Sequence, residues 1–169
     1  MNRFHRPLGY GIAVGVFLLD QLVKWFVTGP LGISAPGDTR EILPFFDLSF
    51  VANHGISLGL FPADSDGTRW LLVAVTLLIS IGVAIWLWRE RARGDAVALG
   101  IVLGGAIGNI VDRARVGYVI DYADLHFGTF RPFLVFNVAD AAITIGAVIL
   151  VLRAFLVKRS DDQPESSHA

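Results

Sequence analysis

The sequence predicts an all-α membrane protein, a four-helix transmembrane bundle with a small β-rich segment in the first outer loop. Three observations carry that prediction. Of the 169 residues, 54% are apolar and only 17% charged, a balance outside the usual soluble range. Four stretches approach the roughly 20 apolar residues that a helix needs to cross a bilayer. The basic residues are unevenly shared between the connecting segments, as expected of a multi-pass chain.

The first span is expected at about Leu8–Thr28. Its basic start, "MNRFHR", resembles a secretory leader, but the apolar run is too long and carries Asp20 and Lys24 near its end. The loop 29–69 follows, in which "EILPFFDLSFVANHGISLGLF" is rich in aromatic and aliphatic residues, alternates in stretches with a period of two, and contains a turn signal at "NHG". Short strands forming a small sheet at the membrane surface are expected there. The second span is expected at about Trp70–Trp88 and the third at about Ala96–Val111. The third is short and rich in glycine: Gly100, Gly104, Gly105 and Gly108 mark a face against which another helix packs closely. The fourth is expected at about Phe133–Val157. Residues 1–159 then form one domain, and the tail 160–169, "SDDQPESSHA", reads as disordered.

Eight basic residues (Arg3, Arg6, Arg89, Arg91, Arg93, Arg153, Lys158, Arg159) fall at the termini and in the short "RERAR" turn, against five (Arg40, Arg69, Arg113, Arg115, Arg131) in the other two loops. Both termini are therefore expected in the cytoplasm. With 1.5 Å of rise per helical residue, the polar residues of three spans then fall in one outer layer. Asp20 and Lys24 end the first span, and Asn109, Asp112 and Arg113 end the third. Asn137 and Asp140 lie about two turns into a fourth helix running from Pro132. Asp20 and Lys24 share a helix face in the favoured acid-before-base order. If they only neutralise each other, removing both should cost less than removing one. The convergence of all three groups marks a polar cavity within the membrane, and ionisable residues there are functional candidates.

Several chemistries are excluded. There is no cysteine, so disulfides, thiolate catalysis and Cys-held metals are absent. His5, His54, His126 and His168 are not spaced as a metal site, no His-Glu-x-x-His is present, and no Gly-x-Ser-x-Gly elbow occurs. No metal or cofactor is expected, and a net charge of −1 gives no reason to expect a nucleic-acid partner. What remains is carboxylates: Asp140, with Asp112, Asp121 and Asp124 as possible partners. Two carboxylates sharing a site do not ionise together easily, so one holds a proton while the other acts as base. Such a pair suffices to hydrolyse a peptide. A small proton- or ion-coupled transporter is the alternative, but it predicts charges at several depths and commonly an internal repeat, and no repeat is visible.

Four motifs in order, "DQLVK" (Asp20–Lys24), "NHGISLG" (Asn53–Gly59), "GGAIGNIVDRARVGYVIDY" (Gly104–Tyr122) and "FNVAD" (Phe136–Asp140), resemble those of the lipoprotein signal peptidase (signal peptidase II) family. The resemblance covers nearly the whole chain. It implies an aspartic endopeptidase of the bacterial inner membrane, in which Asp121 and Asp140 form the catalytic dyad. It implies further that Asn53, Gly55, Asn109, Arg113 and Asn137 contact substrate or hold the dyad, with Asp112 and the Asp20–Lys24 pair bracing the site. The implied partners are membrane lipids and diacylglyceryl-modified prolipoproteins, cut just before the lipidated cysteine on the outer face by an enzyme expected to be monomeric. The chain departs from the family at Leu58, where an aromatic residue is usual, and His54 fills the variable place beside Asn53.

Overall fold

The computed structural model describes residues 5–55 and 66–161. The elements run α1 (Arg6–Thr28), β1 (Thr39–Leu43), β2 (Phe46–Asn53), α2 (Asp66–Arg89), α3 (Arg93–Val116), β3 (Val119–Leu125) and α4 (Val138–Asp161). All four helices are long and apolar enough to cross a membrane. The outer faces of α1, α2 and α4 are apolar and exposed, as at Leu18, Leu22, Leu78 and Phe155, which in water would be a defect and in lipid is the required solvent match.

α3 is the central helix and packs against each of the other three. Its glycines explain why. A side chain at Gly104 would collide with the Ala13 carbonyl of α1, and one at Gly105 would come within 2.5 Å of the Ala139 carbonyl of α4. Lipid gives helices no hydrophobic drive to associate, so close backbone approach through small residues supplies the packing. The helix is also longer than the 96–111 expected, because its polar last turn continues to Val116. Gly117 then adopts a left-handed φ of 95°, and this terminal turn feeds the chain into β3.

The small sheet forms as expected but differs in extent. It has three antiparallel strands in the order β1-β2-β3, and the third comes from the connection between α3 and α4, not from the first loop. The hairpin turn lies between Leu43 and Phe46, whereas "NHG" ends β2. Between Leu48 and Val51 the pairing with β3 shifts by one residue. This bulge reverses the alternation along β2, so Asn53 lies on the same face as Asp121.

Two further expectations are corrected. The fourth helix starts at Val138, not near Phe133: residues before it are tied to β3 through paired backbone bonds between Ala123 and Phe136. Asn137 and Asp140 therefore sit at the very start of the helix instead of two turns into it. Ser160 and Asp161 belong to α4, so the helix enters the segment read as a disordered tail. Positions 162–169, and the loop residues 56–65 including Leu58, lie outside the described residues.

Candidate active site

The sheet, the start of α4 and the ends of α1 and α3 meet at one end of the bundle. At the start of α4 the Asp140 N–H donates to Asn137 Oδ1 at 2.9 Å, and Asp140 Oδ2 accepts from the Asn137 N–H at 3.3 Å. This is a reciprocal capping box built from Asn and Asp, satisfying two backbone donors that a helix start leaves without partners. The other oxygen, Asp140 Oδ1, accepts from Asn109 Nδ2 of α3 at 2.8 Å. The sequence thus uses a short-range cap to fix the rotamer of a buried acid.

Asp121, on β3 and only 2% exposed, faces the same asparagine. Asn137 Nδ2 donates to Asp121 Oδ1 at 2.6 Å, and Asn53 Nδ2 donates to Asp121 Oδ2 at 2.9 Å. Asn137 therefore touches both carboxylates, and three asparagines supply side-chain donors to them. Burial pushes the Asp121 carboxyl up to about 7; the nearby Asp140 charge adds to the rise, while the Asn53 and Asn137 bonds oppose it. A carboxyl in this range holds its proton at near-neutral pH, as an acid–base catalyst must.

Behind the pair lies a cluster joined through Lys24. Its ammonium contacts Asp20 Oδ2 at 2.8 Å and Asp112 Oδ2 at 2.7 Å, with Asn109 Oδ1 at 3.4 Å. Asp20 is fully buried, and its other oxygen accepts the Ala139 N–H in the first turn of α4 at 3.0 Å. Asp112 accepts the Ile120 N–H of β3 at 3.2 Å. The residue next to each candidate catalytic acid is thus held by a carboxylate that Lys24 neutralises. Asp20 and Lys24 do pair, but the expectation of a simple two-residue pair is too small: Asp112 is a third member. Gly108 belongs to the same arrangement, since a methyl group there would stand 2.6 Å from Asp20 Oδ2.

Arg113 lies beside the three carboxylates Asp140, Asp121 and Asp112, and its buried Nε has no hydrogen-bond partner among the described residues. Gly55, with φ of 95°, sits against its guanidinium. Asp124 is buried but bound through both oxygens, at 3.1 Å each, by Arg131. Among the acids left open by residue type, Asp112 therefore answers to Lys24, Asp124 to Arg131, and Asp121 to neutral amides near Asp140.

Two residues of the site were missed in the sequence. Gln21 bridges Asp20 and Asp112, at 3.2 and 3.0 Å. Arg69 of α2 ties down the end of α3 by donating to the carbonyls of Arg113 and Ala114, both at 2.7 Å. Gln21 lies inside "DQLVK" and was within reach of a closer reading. Arg69 gave no local signal, because its partners are backbone atoms 44 and 45 residues away. Beside Asp140 an apolar groove of about 250 Å³ runs along α4, lined by Phe133, Phe136, Ala141, Thr144 and Ile145.

A membrane-crossing bundle with two carboxylates joined through one asparagine defines a polytopic membrane enzyme of the paired-carboxylate kind. Comparison narrows this class: the family described as Signal peptidase (SPase) II matches residues 12–156, and the chain belongs to that family. The lipoprotein signal peptidase of Rhizorhabdus wittichii is 61% identical over 154 residues, covering 91% of this chain and 89% of the relative. That of Sphingopyxis alaskensis is 52% identical over 158 residues, covering 94% and 91%. A solved structure described as a bacterial membrane enzyme, at 2.3 Å resolution, superposes with a TM-score of 0.76 at 25% identity, covering 96% of this chain and 95% of the other. The transporter alternative finds no support in these relatives. The chain is an aspartic-type signal peptidase II and a multi-pass bacterial membrane protein.

Proposed function

We propose that this enzyme removes the signal peptide from diacylglyceryl-modified prolipoproteins, cutting just before the lipidated cysteine, with Asp121 and Asp140 as the catalytic pair. The observation that carries the assignment is Asn137, which contacts both carboxylates and, among the described residues, no other aspartate. One carboxylate, ionised, takes a proton from a water whose oxygen attacks the scissile carbonyl carbon. The other, protonated, donates to the carbonyl oxygen. Collapse of the tetrahedral intermediate breaks the C–N bond, and a proton passes to the departing cysteine amine. The carboxylates return to a one-proton state without any covalent intermediate.

Arg113 and Gly55 are placed to receive the peptide backbone, and the buried Nε of Arg113, without a partner among the described residues, is a donor suited to a substrate carbonyl. The groove along α4 takes an apolar part of the substrate. Asn53 and Asn109 hold the pair from the sheet and from α3, while Asp20, Lys24 and Asp112 brace it. The enzyme acts as a single chain in the inner membrane, with both termini cytoplasmic and the site toward the outer face. The excess of Lys and Arg on the other side supports this orientation. The deciding experiment is incubation of purified protein in detergent with a diacylglyceryl-modified lipobox peptide. Cleavage before the modified cysteine is expected. Equal cleavage of the unlipidated peptide would overturn the substrate assignment, and no cleavage of either would overturn the activity.

A further inference from the structure

A second groove, of about 350 Å³, lies away from the candidate active site, between α1 and α2 with α3 as its floor. Its walls are apolar: Val14 and Phe17 on α1, Leu77 and Ile81 on α2, and Leu103 and Ile107 below. At the end remote from the sheet it is closed. There Tyr10 donates its hydroxyl to the Ala84 carbonyl at 2.9 Å, Gly9 packs under Leu87, and the Arg6 guanidinium lies 4.2 Å from the centre of the Trp88 ring. Among the described residues these contacts clamp α1 to α2 at that end, so an occupant enters from the half of the membrane that holds the sheet.

The face of α1 that lines this groove continues beyond it. Phe17, Gln21, Lys24 and Thr28 follow at helical spacing, and the last three line a polar cavity of about 230 Å³ together with Trp25 and Arg115. Trp25 is 61% exposed, as suits an aromatic ring at the headgroup level. Arg115 is exposed and has no hydrogen-bond or ion-pair partner among the described residues. The other cation at this cavity, Lys24, is already engaged by Asp20 and Asp112. From Thr28 down to Val14 is about 21 Å at 1.5 Å per residue, which is the depth of one leaflet, roughly 20–22 Å with its headgroups.

We propose that these two cavities form one site for an anionic glycerophospholipid of the bilayer. One acyl chain fills the groove between α1 and α2, and the phosphate lies against Arg115. The length of the groove, its closed far end and the cation at its open end fit that ligand. A free phosphate would leave the apolar part empty. The lipid sits at the back of the Lys24–Asp112 pair, so its occupancy stiffens α1 against α3 and stabilises the fold by mass action.

The test is lipid retention by the delipidated full-length protein, read by native mass spectrometry and by thermal melting. Phosphatidylglycerol and phosphatidylethanolamine are added separately, with dihexanoyl phosphatidylglycerol supplying a headgroup without a long chain. Long-chain phosphatidylglycerol should be retained at about one copy and raise the Tm by several degrees. The short-chain form should not. Arg115→Gln should abolish the preference for phosphatidylglycerol. Val14→Trp and Leu77→Trp, which fill the groove from opposite walls at lipid-exposed positions, should each cut retention at least fivefold. All three variants should keep their detergent Tm and their cleavage of peptide. Equal retention of the two long-chain lipids by the unaltered protein, or undiminished retention in both tryptophan variants, would overturn the proposal.

Discussion

Asn137 and Asp140 cap the same helix for each other: each accepts the other's backbone N–H through a side-chain oxygen, at 2.9 and 3.3 Å. The amide left over on Asn137 reaches Asp121 at 2.6 Å. A device that ordinarily starts a helix here also sets the relation between two acids. Asn137→Ala should therefore lose about 1 kcal/mol of stability, as for other caps, and far more activity than such a loss explains. Asn137→Ser keeps a capping oxygen but is too short to donate to Asp121 and adds no charge. Its cleavage rate should fall as far as that of Asn137→Ala while its Tm falls less. Recovery of near-normal cleavage in Asn137→Ser would reduce the residue to a helix cap.

Asp121→Asn and Asp140→Asn each remove an ionisable oxygen while keeping the shape. Cleavage should fall by about 10²–10⁴, the usual worth of a general acid or base, with insertion and folding retained. Asp124→Asn should cleave normally, since Asp124 answers to Arg131. The rates of the three variants on one lipidated peptide decide the matter. An inactive Asp124→Asn beside an active Asp121→Asn would reassign the pair.

The raised Asp121 carboxyl gives stability a definite pH dependence. The folded state holds this proton more tightly, to about pH 7, than an unfolded chain does at an ordinary value of 3.8. Its stabilising contribution is full below pH 4 and is lost as the pH rises through 7. The Tm should fall across that window, and Asp121→Asn should flatten the fall. Cleavage should follow a bell-shaped profile whose two apparent values belong to the pair, with an alkaline limb near pH 7 in the free enzyme. A Tm that rises between pH 4 and 7 through the same group would contradict the burial of an acid held protonated.

Lys24→Met strands two buried carboxylates at once, Asp20 and Asp112. The cost should be at least the about 3–5 kcal/mol typical of breaking a buried pair. The double change Asp20→Ala with Lys24→Met would be nearly harmless if only a pair existed. Here it leaves Asp112 unpaired and the Ala139 N–H without its acceptor. It should recover little stability and no activity. A thermal melt beside a cleavage assay, for both singles and the double, measures this.

The chain contains no cysteine, so single cysteines can be introduced without background. Asp38→Cys and Gly128→Cys, at the sheet end, should react with a membrane-impermeant maleimide added outside the inner membrane. Ala92→Cys, in the turn between α2 and α3, should react only after lysis. Labelling of Ala92→Cys from outside would invert the proposed orientation.

What the sequence determined by itself was the part carried by short-range pattern. Runs of apolar residues set the four helices, the glycines of α3 marked a face for close packing, and residue spacing put Asp20, Lys24, Asn109, Asp112 and Asp140 in one layer. Its motifs also named the family. Tertiary structure decided which acid faces which partner. Asp112, Asp121 and Asp124 lie within thirteen residues of one another and are chemically alike, and no local signal separates them. They differ because α1 presents Lys24 to the first, the bulge in β2 turns Asn53 toward the second, and Arg131 folds back on the third. The third strand was likewise illegible, because its pairing with β2 joins segments from two separate loops. A buried carboxylate takes its character from the donors around it, and those donors come from distant parts of the chain.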